Sequence, residues 1–167
     1  MVNFQNKLLF QESETNNIIF PMYDENKEIV GAELCGTLSD KRFKGIKAGS
    51  KYGYGFNINP TQSEIIKIIL FFESAIDLLS FFDMKKLENK GLKNCLLVSL
   101  AGLKDNIIKH YLDSFNNAVE LYLCVDNDTA GINFVNEIKT QINDVKTLLP
   151  NCKDWNDQLK LVRKLEI

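Results

Sequence analysis

Glu73 closes an apolar run over residues 65–72, and Asp126 and Asp128 close a second over residues 119–125. Carboxylates at the carboxyl ends of parallel strands face the crevice where open α/β sheets bind ligands. Asp126 and Asp128 are two apart, and alternate residues of an extended segment point the same way, so both can face one cation. An oxygen-rich site of this kind suits Mg²⁺, which takes one or two carboxylates and leaves its other positions to water and phosphate. Each acid also has a structural reading. Glu73 can serve as a helix N-terminal acid stabilised by the dipole. Asp77, four residues on, shares a helix face with Glu73 and is either a further ligand or a solvated helix residue. Asp128 can cap the helix that follows it. Asp154, in Lys153-Asp-Trp-Asn-Asp157, either binds metal or caps the last helix.

The elements that must position these acids follow from the hydrophobic pattern. Residues 65–72 are apolar except for Lys67, as in a strand covered on both faces. Residues 74–87 carry apolar side chains at helical spacing, with Ser74 at the N-cap position. Strands are predicted over 95–99, 119–125 and 145–149, and helices over 103–115, 129–142 and 154–165. Strand–helix alternation of this kind argues for a parallel sheet with right-handed crossovers. Before Pro60 the pattern is β-rich: residues 18–23 and 29–35 flank the polar break Asp24-Glu-Asn-Lys27, a hairpin. A basic stretch follows, with Lys41, Arg42, Lys44, Lys47 and Lys51, then an alternating segment over 52–58 that reads as a half-buried strand. The expected division is a small β-rich unit over 1–60 and an α/β unit over 61–167.

Composition narrows the class. The 167 residues suffice for a real core. With a net charge of −2, nucleic-acid binding must come from a local patch. No stretch is long and apolar enough to span a membrane, and residues 1–7 show no secretory signal pattern. A cytoplasmic location is the default expectation. Cys35, Cys95, Cys124 and Cys152 form no CxxC pair, which argues against a zinc site or a disulfide framework. His110 is the single histidine, and Ser74 and Ser99 have no histidine partner in view, so a serine triad is disfavoured. No P-loop or GxGxxG is present.

On these residues the chain resembles the Toprim domain, the fold shared by bacterial primases, topoisomerases, recombination-mediator proteins and some nucleases. Glu73 in Phe72-Glu-Ser-Ala-Ile-Asp77 matches the family glutamate, and Asp126-Asn-Asp128 matches the family Asp-x-Asp. Val98-Ser-Leu-Ala-Gly-Leu103, Asp126-Asn-Asp-Thr-Ala-Gly131 and residues 149–157 resemble primase segments in particular. Residues 20–31 resemble the hairpin that precedes the domain in primases. The nearest likeness is to the catalytic core of bacterial DNA primases and to primase-related proteins of plasmids and mobile elements. The chain departs from the pattern at Ser74, where primases often carry glycine, and in Asp-Trp-Asn-Asp, where the family has Asp-x-Asp.

The resemblance implies a four-stranded, mostly parallel Toprim sheet flanked by helices. It implies Mg²⁺ or Mn²⁺ held by Asp126 and Asp128, with Glu73, Asp77 and Asp154 as further ligands, and Glu73, Asp126 and Asp128 as the catalytic set. Lys41, Arg42, Lys44, Lys47 and Lys51 would hold template or product phosphates; a solvated loop is the other reading of that run. Tyr52 and Tyr54 either stack on bases or pack as core and edge residues. The implied activity is primase-like nucleotidyl transfer on single-stranded DNA, of the DNA-directed RNA polymerase type, in replication of a mobile element or chromosome. The alternatives are a phosphodiester-cleaving Toprim nuclease and a non-catalytic nucleic-acid-binding module. Implied partners are single-stranded DNA and nucleotides, and a helicase or zinc-binding module on another chain or in a longer parent protein.

Overall fold

A computed structural model describes residues 9–38, 43–115 and 119–165. Lys41 and Arg42, like residues 1–7, lie outside them. The first four strands are β1 (Phe10–Gln11), β2 (Ile18–Tyr23), β3 (Ile29–Cys35) and β4 (Lys44–Ile46), which form an antiparallel sheet in chain order. The β2–β3 hairpin turns where the polar break predicts. Asp24 Oδ1 accepts from the backbone N–H groups of Asn26 (2.9 Å) and Glu28 (3.0 Å), and Lys27 takes φ of 64°. An Asp side chain bonding its own turn in this way is a standard turn former.

The second sheet contains β5 (Asn57–Ile58), β6 (Ile68–Phe72), β7 (Cys95–Ser99), β8 (Glu120–Cys124) and β9 (Lys146–Thr147), in the order β5-β7-β6-β8-β9. Four of these strands are mutually parallel, and β5 adds an antiparallel edge on β7. The helices are α1 (Ala75–Leu87), α2 (Asp105–Ser114), α3 (Thr129–Gln141) and α4 (Trp155–Leu165). Side chains along β6 alternate between two cores. Ile69 and Phe71 join the core under α2 and α3. Leu70 and Phe72 join the core under α1 and α4. Period-2 alternation between two apolar layers is why the sequence of this strand is a continuous hydrophobic run. Phe20 of β2 and Phe56 meet edge-to-face at 5.4 Å inside the second core, so the antiparallel sheet shares that core.

Two predicted strands are shorter than expected. Of residues 52–58 only Asn57–Ile58 is strand. Gly53 takes φ of 85°, which turns the chain out of extended geometry. Gly55 lies so close to β7 that an added Cβ would sit 1.9 Å from the Ser99 carbonyl oxygen. The aromatic–glycine alternation there reflects close backbone approach rather than a pleated surface. At the opposite edge β9 covers only Lys146–Thr147 of residues 145–149.

Candidate metal centre

The carboxyl ends of β6 and β8 lie side by side, with Phe72 registered on Cys124. Glu73, next after Phe72, and Asp126, two residues after Cys124, therefore emerge at the same end of the sheet. Ser74 caps α1 by accepting from the Asp77 N–H at 3.3 Å. That cap turns the chain from strand into helix immediately after Glu73 and folds Asp77 back onto the site. Asp77 is buried, 4% exposed, and its carboxylate accepts from the Ser74 hydroxyl. Asp128 caps α3, its Oδ1 accepting from the Gly131 N–H at 3.0 Å. Gly131 is required because a Cβ there would stand 2.1 Å from the Asp126 carbonyl oxygen.

A third segment closes on the first two. The Asn127 N–H donates to the Lys153 carbonyl (2.8 Å), and Asn127 Nδ2 donates to the Pro150 carbonyl (3.1 Å). Trp155 Nε1 donates to the Cys124 carbonyl at 2.8 Å, with its ring packed edge-on against Phe81. Asp154 is thereby held beside Asp126. Asp154 also accepts from the Asp157 N–H at 2.7 Å, capping the start of α4. Asp157 itself is exposed and pairs with Lys160 at 2.9 Å.

The acids influence one another electrostatically. Burial, then the charges of Asp77, Glu73 and Asp154, push the Asp126 carboxyl up to about 7 from 3.8, while Lys44 pulls the other way. Burial raises Glu73, with Asp77 and Asp128 adding to it and Lys44 opposing. Burial likewise raises Asp77, with the Ser74 hydroxyl opposing and Asp154 adding. Asp126 Oδ1 is buried without a hydrogen-bond partner. Buried polar atoms are ordinarily paired, and one left bare among like charges is an acceptor suited to a cation.

The residues fit a divalent cation by charge and donor type. They do not form a finished cage: among the described residues no group of three or more His, Cys, Asp or Glu side chains stands close enough together to hold an ion. Mg²⁺ needs no such cage, since it keeps several waters and binds through one or two carboxylates.

The described lysines of the basic stretch meet different neighbours. Lys44, on β4, faces the acids, and its ammonium moderates Glu73, Asp77 and Asp126. Lys47 pairs with Glu12 at 3.7 Å. Lys51 lies over the Tyr54 ring, 4.9 Å from its centroid. Tyr52 is 81% exposed, whereas Tyr54 is buried against His110 at 4.2 Å.

Glu33 and Lys104 also border the site and were not singled out from the sequence, and Ser99, considered there only as a triad serine, hydrogen-bonds Glu33. With Lys44, Glu73, Ser74 and Gly102, Glu33 and Lys104 line a cavity of about 220 Å³. The available signal was a lone acid inside the apolar strand 29–35. Burial pushes the Glu33 carboxyl up, and hydrogen bonds from Ser99 and Ala75 pull it back.

The acids thus stand at the ends of two adjacent parallel strands of an open α/β sheet that shares a core with the antiparallel sheet. The profile described as Toprim-like matches residues 70–159, and the chain belongs to that family. Residues 2–62 match a second profile, described as a protein of unknown function (DUF3991). An uncharacterized protein of Bacillus anthracis is 32% identical over 184 residues, a match spanning 95% of this chain and 52% of the relative. Among solved structures, the primase fragment of the bacteriophage T7 primase-helicase protein superposes with a TM-score of 0.67 at 20% identity, covering 95% of this chain and 64% of that one. A DNA primase domain from Pseudomonas aeruginosa superposes with a TM-score of 0.58 at 17% identity, covering 92% and 52%. The chain thus has the fold of primase catalytic domains and spans about half the length of its Bacillus relative. Among the described residues no helix is long and apolar enough to cross a membrane.

Proposed function

We propose that the chain is the catalytic core of a primase-like nucleotidyltransferase, dependent on Mg²⁺ or Mn²⁺ and acting on single-stranded DNA. The observation that carries this reading is the convergence of Glu73, Asp77 and Asp154 on an Asp126 whose buried Oδ1 has no partner. Asp126 and Asp128 would hold the cation, with Glu73, Asp77 and Asp154 around it. When bound, Mg²⁺ neutralises the charge that develops on a transferring phosphoryl group. Lys44 presents an ammonium beside the same acids, placed for phosphate oxygens of an incoming nucleotide. The rest of the basic stretch would track template phosphates, a contact that is independent of sequence and weakened by salt. The fold likeness to a fragment of a primase-helicase supports a helicase as partner, on another chain or in a longer parent protein. A cytoplasmic role in replication of a chromosome or mobile element is consistent with this reading.

Phosphodiester cleavage is a second reading with one observation in its favour. Burial raises the Glu73 carboxyl against the opposing charge of Lys44, the direction a general acid needs. The deciding experiment is primer synthesis on single-stranded DNA with labelled nucleotides and Mg²⁺ or Mn²⁺. New short oligonucleotides that disappear with Asp126→Ala plus Asp128→Ala support the first reading. Template cleavage moves the chain to the second. Neither product, with cation binding intact, makes it a binding module.

A further inference from the structure

Glu33 stands in the middle of β3, paired across the sheet with Phe20 and with Ile46. It is 4% exposed, and both of its carboxylate oxygens are engaged by the second sheet's elements. Oε1 accepts from the Ala75 N–H at 3.0 Å. Ala75 is the first residue of α1, and its N–H is one of the four that a helix cannot satisfy internally. Oε2 accepts from the Ser99 hydroxyl at 2.6 Å. Ser99 ends β7, and its Oγ in turn accepts from the Ala101 N–H at 3.1 Å. Ala101 holds the left-handed region, φ of 48°, a conformation an alanine keeps only when its surroundings impose it. The next residue, Gly102, donates its N–H to the Glu73 carbonyl at 2.8 Å. One buried side chain thus ties three segments together: the Glu73–Ala75 turn, the end of β7 with its loop, and the sheet that carries Lys44. Burying a carboxylate is costly unless its oxygens are satisfied, and both oxygens of Glu33 are satisfied by these segments.

We propose that Glu33 is a positioning residue for the acidic site. Its carboxylate fixes the turn that carries Glu73 and registers the Lys44 strand against it. The antiparallel sheet is then part of the frame of the site rather than an accessory surface. Glu33 touches no reacting group; it acts through Ala75 and Ser99. The inference rests on the divalent-cation reading given above.

The test is Mn²⁺ affinity of the full chain by EPR titration for the wild type, Glu33→Gln, Glu33→Ala and Ser99→Ala, with thermal unfolding in EDTA alongside. Residues that orient ligands without binding the metal typically govern about tenfold or more in affinity. Glu33→Ala is expected to lose about tenfold, and Glu33→Gln, which keeps an acceptor for the Ala75 N–H, to recover most of it. Ser99→Ala leaves the Glu33–Ala75 bond in place and is expected to lose less than Glu33→Ala. It keeps the comparison open if Glu33→Ala does not fold. A folded Glu33→Ala chain that binds Mn²⁺ as tightly as wild type overturns the proposal, as does Glu33→Gln failing to recover affinity. If the wild type binds no Mn²⁺, the cation reading falls, and the role of Glu33 is then read from the amide resonances of residues 73–77. Displacement by Glu33→Ala with restoration by Glu33→Gln supports it; resonances unmoved by either variant overturn it.

Discussion

Asp126→Asn tests the electrostatics of the site without any need for turnover. In the metal-free chain the Asp126 carboxyl is held up to about 7 by burial and by Asp77, Glu73 and Asp154, against an ordinary value of 3.8. Each pH unit of displacement is worth about 1.4 kcal/mol, so the full displacement corresponds to about 4 kcal/mol. Asp126 is only half-buried, and solvent screening removes at least half of that, leaving about 2 kcal/mol. The folded value lies above the unfolded one, so between about pH 4 and pH 7 the folded chain holds a proton that the unfolded chain has released. Stability from this group is therefore complete below that window and is lost as pH rises through it. Asparagine keeps the shape and removes the charge. At pH 8 without metal, Asp126→Asn should be more stable than wild type by about 2 kcal/mol, roughly 5 °C in Tm for a chain of this size. At pH 5 the gain should be smaller, since the wild-type residue is then largely protonated in the folded state. Circular-dichroism melts in EDTA at the two pH values measure both quantities. Adding Mg²⁺ at pH 8 should raise the Tm of wild type and leave the variant unmoved. A variant no more stable than wild type at pH 8, or a gain that does not change with pH, would refute the picture of an uncompensated carboxylate.

Two further substitutions probe the frame. Gly131→Ala puts a Cβ 2.1 Å from the Asp126 carbonyl oxygen, and relief of that overlap should cost about 2 kcal/mol and shift Asp126. The check is a lower urea midpoint together with weaker Mn²⁺ binding; an unchanged midpoint would show that α3 yields freely. Trp155→Phe retains a ring against Phe81 but deletes the 2.8 Å bond to the Cys124 carbonyl. Leaving that buried oxygen unpaired should cost about 2 kcal/mol in urea unfolding, and a smaller loss than for an ordinary conservative swap would count against the bond.

The parallel sheet was legible because its strands are buried on both faces and its helices on one. Two periods in alternation have few other solutions. Ser74 could be read as a cap because a hydroxyl stood just before a helical apolar pattern, and Asp128 because its structural alternative was a cap. Asp128 does cap α3, and it also adds to the charge felt by Glu73. The convergence of Asp126 with Asp77 and Asp154 needed the fold, since it depends on Trp155 and Asn127 drawing residues 150–155 against the end of β8. The neighbours of the basic run were not legible, because the pleat of β4 and the bend after it send Lys44, Lys47 and Lys51 to different partners. Glu33 escaped because one acid among apolar residues is locally indistinguishable from a strand-edge charge. Its partners lie 42 and 66 residues away.

The order of synthesis meets an unusual demand in β5. This strand leaves the ribosome early, yet its ladder partner β7, buried along its whole length, is made only after β6 and α1. Until then Phe20 and Phe56 have no completed layer to enter, and once β7 forms, its outer N–H and C=O groups stay open until β5 arrives. A nascent chain therefore carries exposed aromatic surface first and an unclosed sheet edge later, both of which favour aggregation during folding. Non-local closure of this kind also slows folding. The β5–β7 ladder lies beside Ser99, whose N–H donates to the Phe56 carbonyl, so the working geometry requires the earliest and middle thirds of the chain to meet as well as the last.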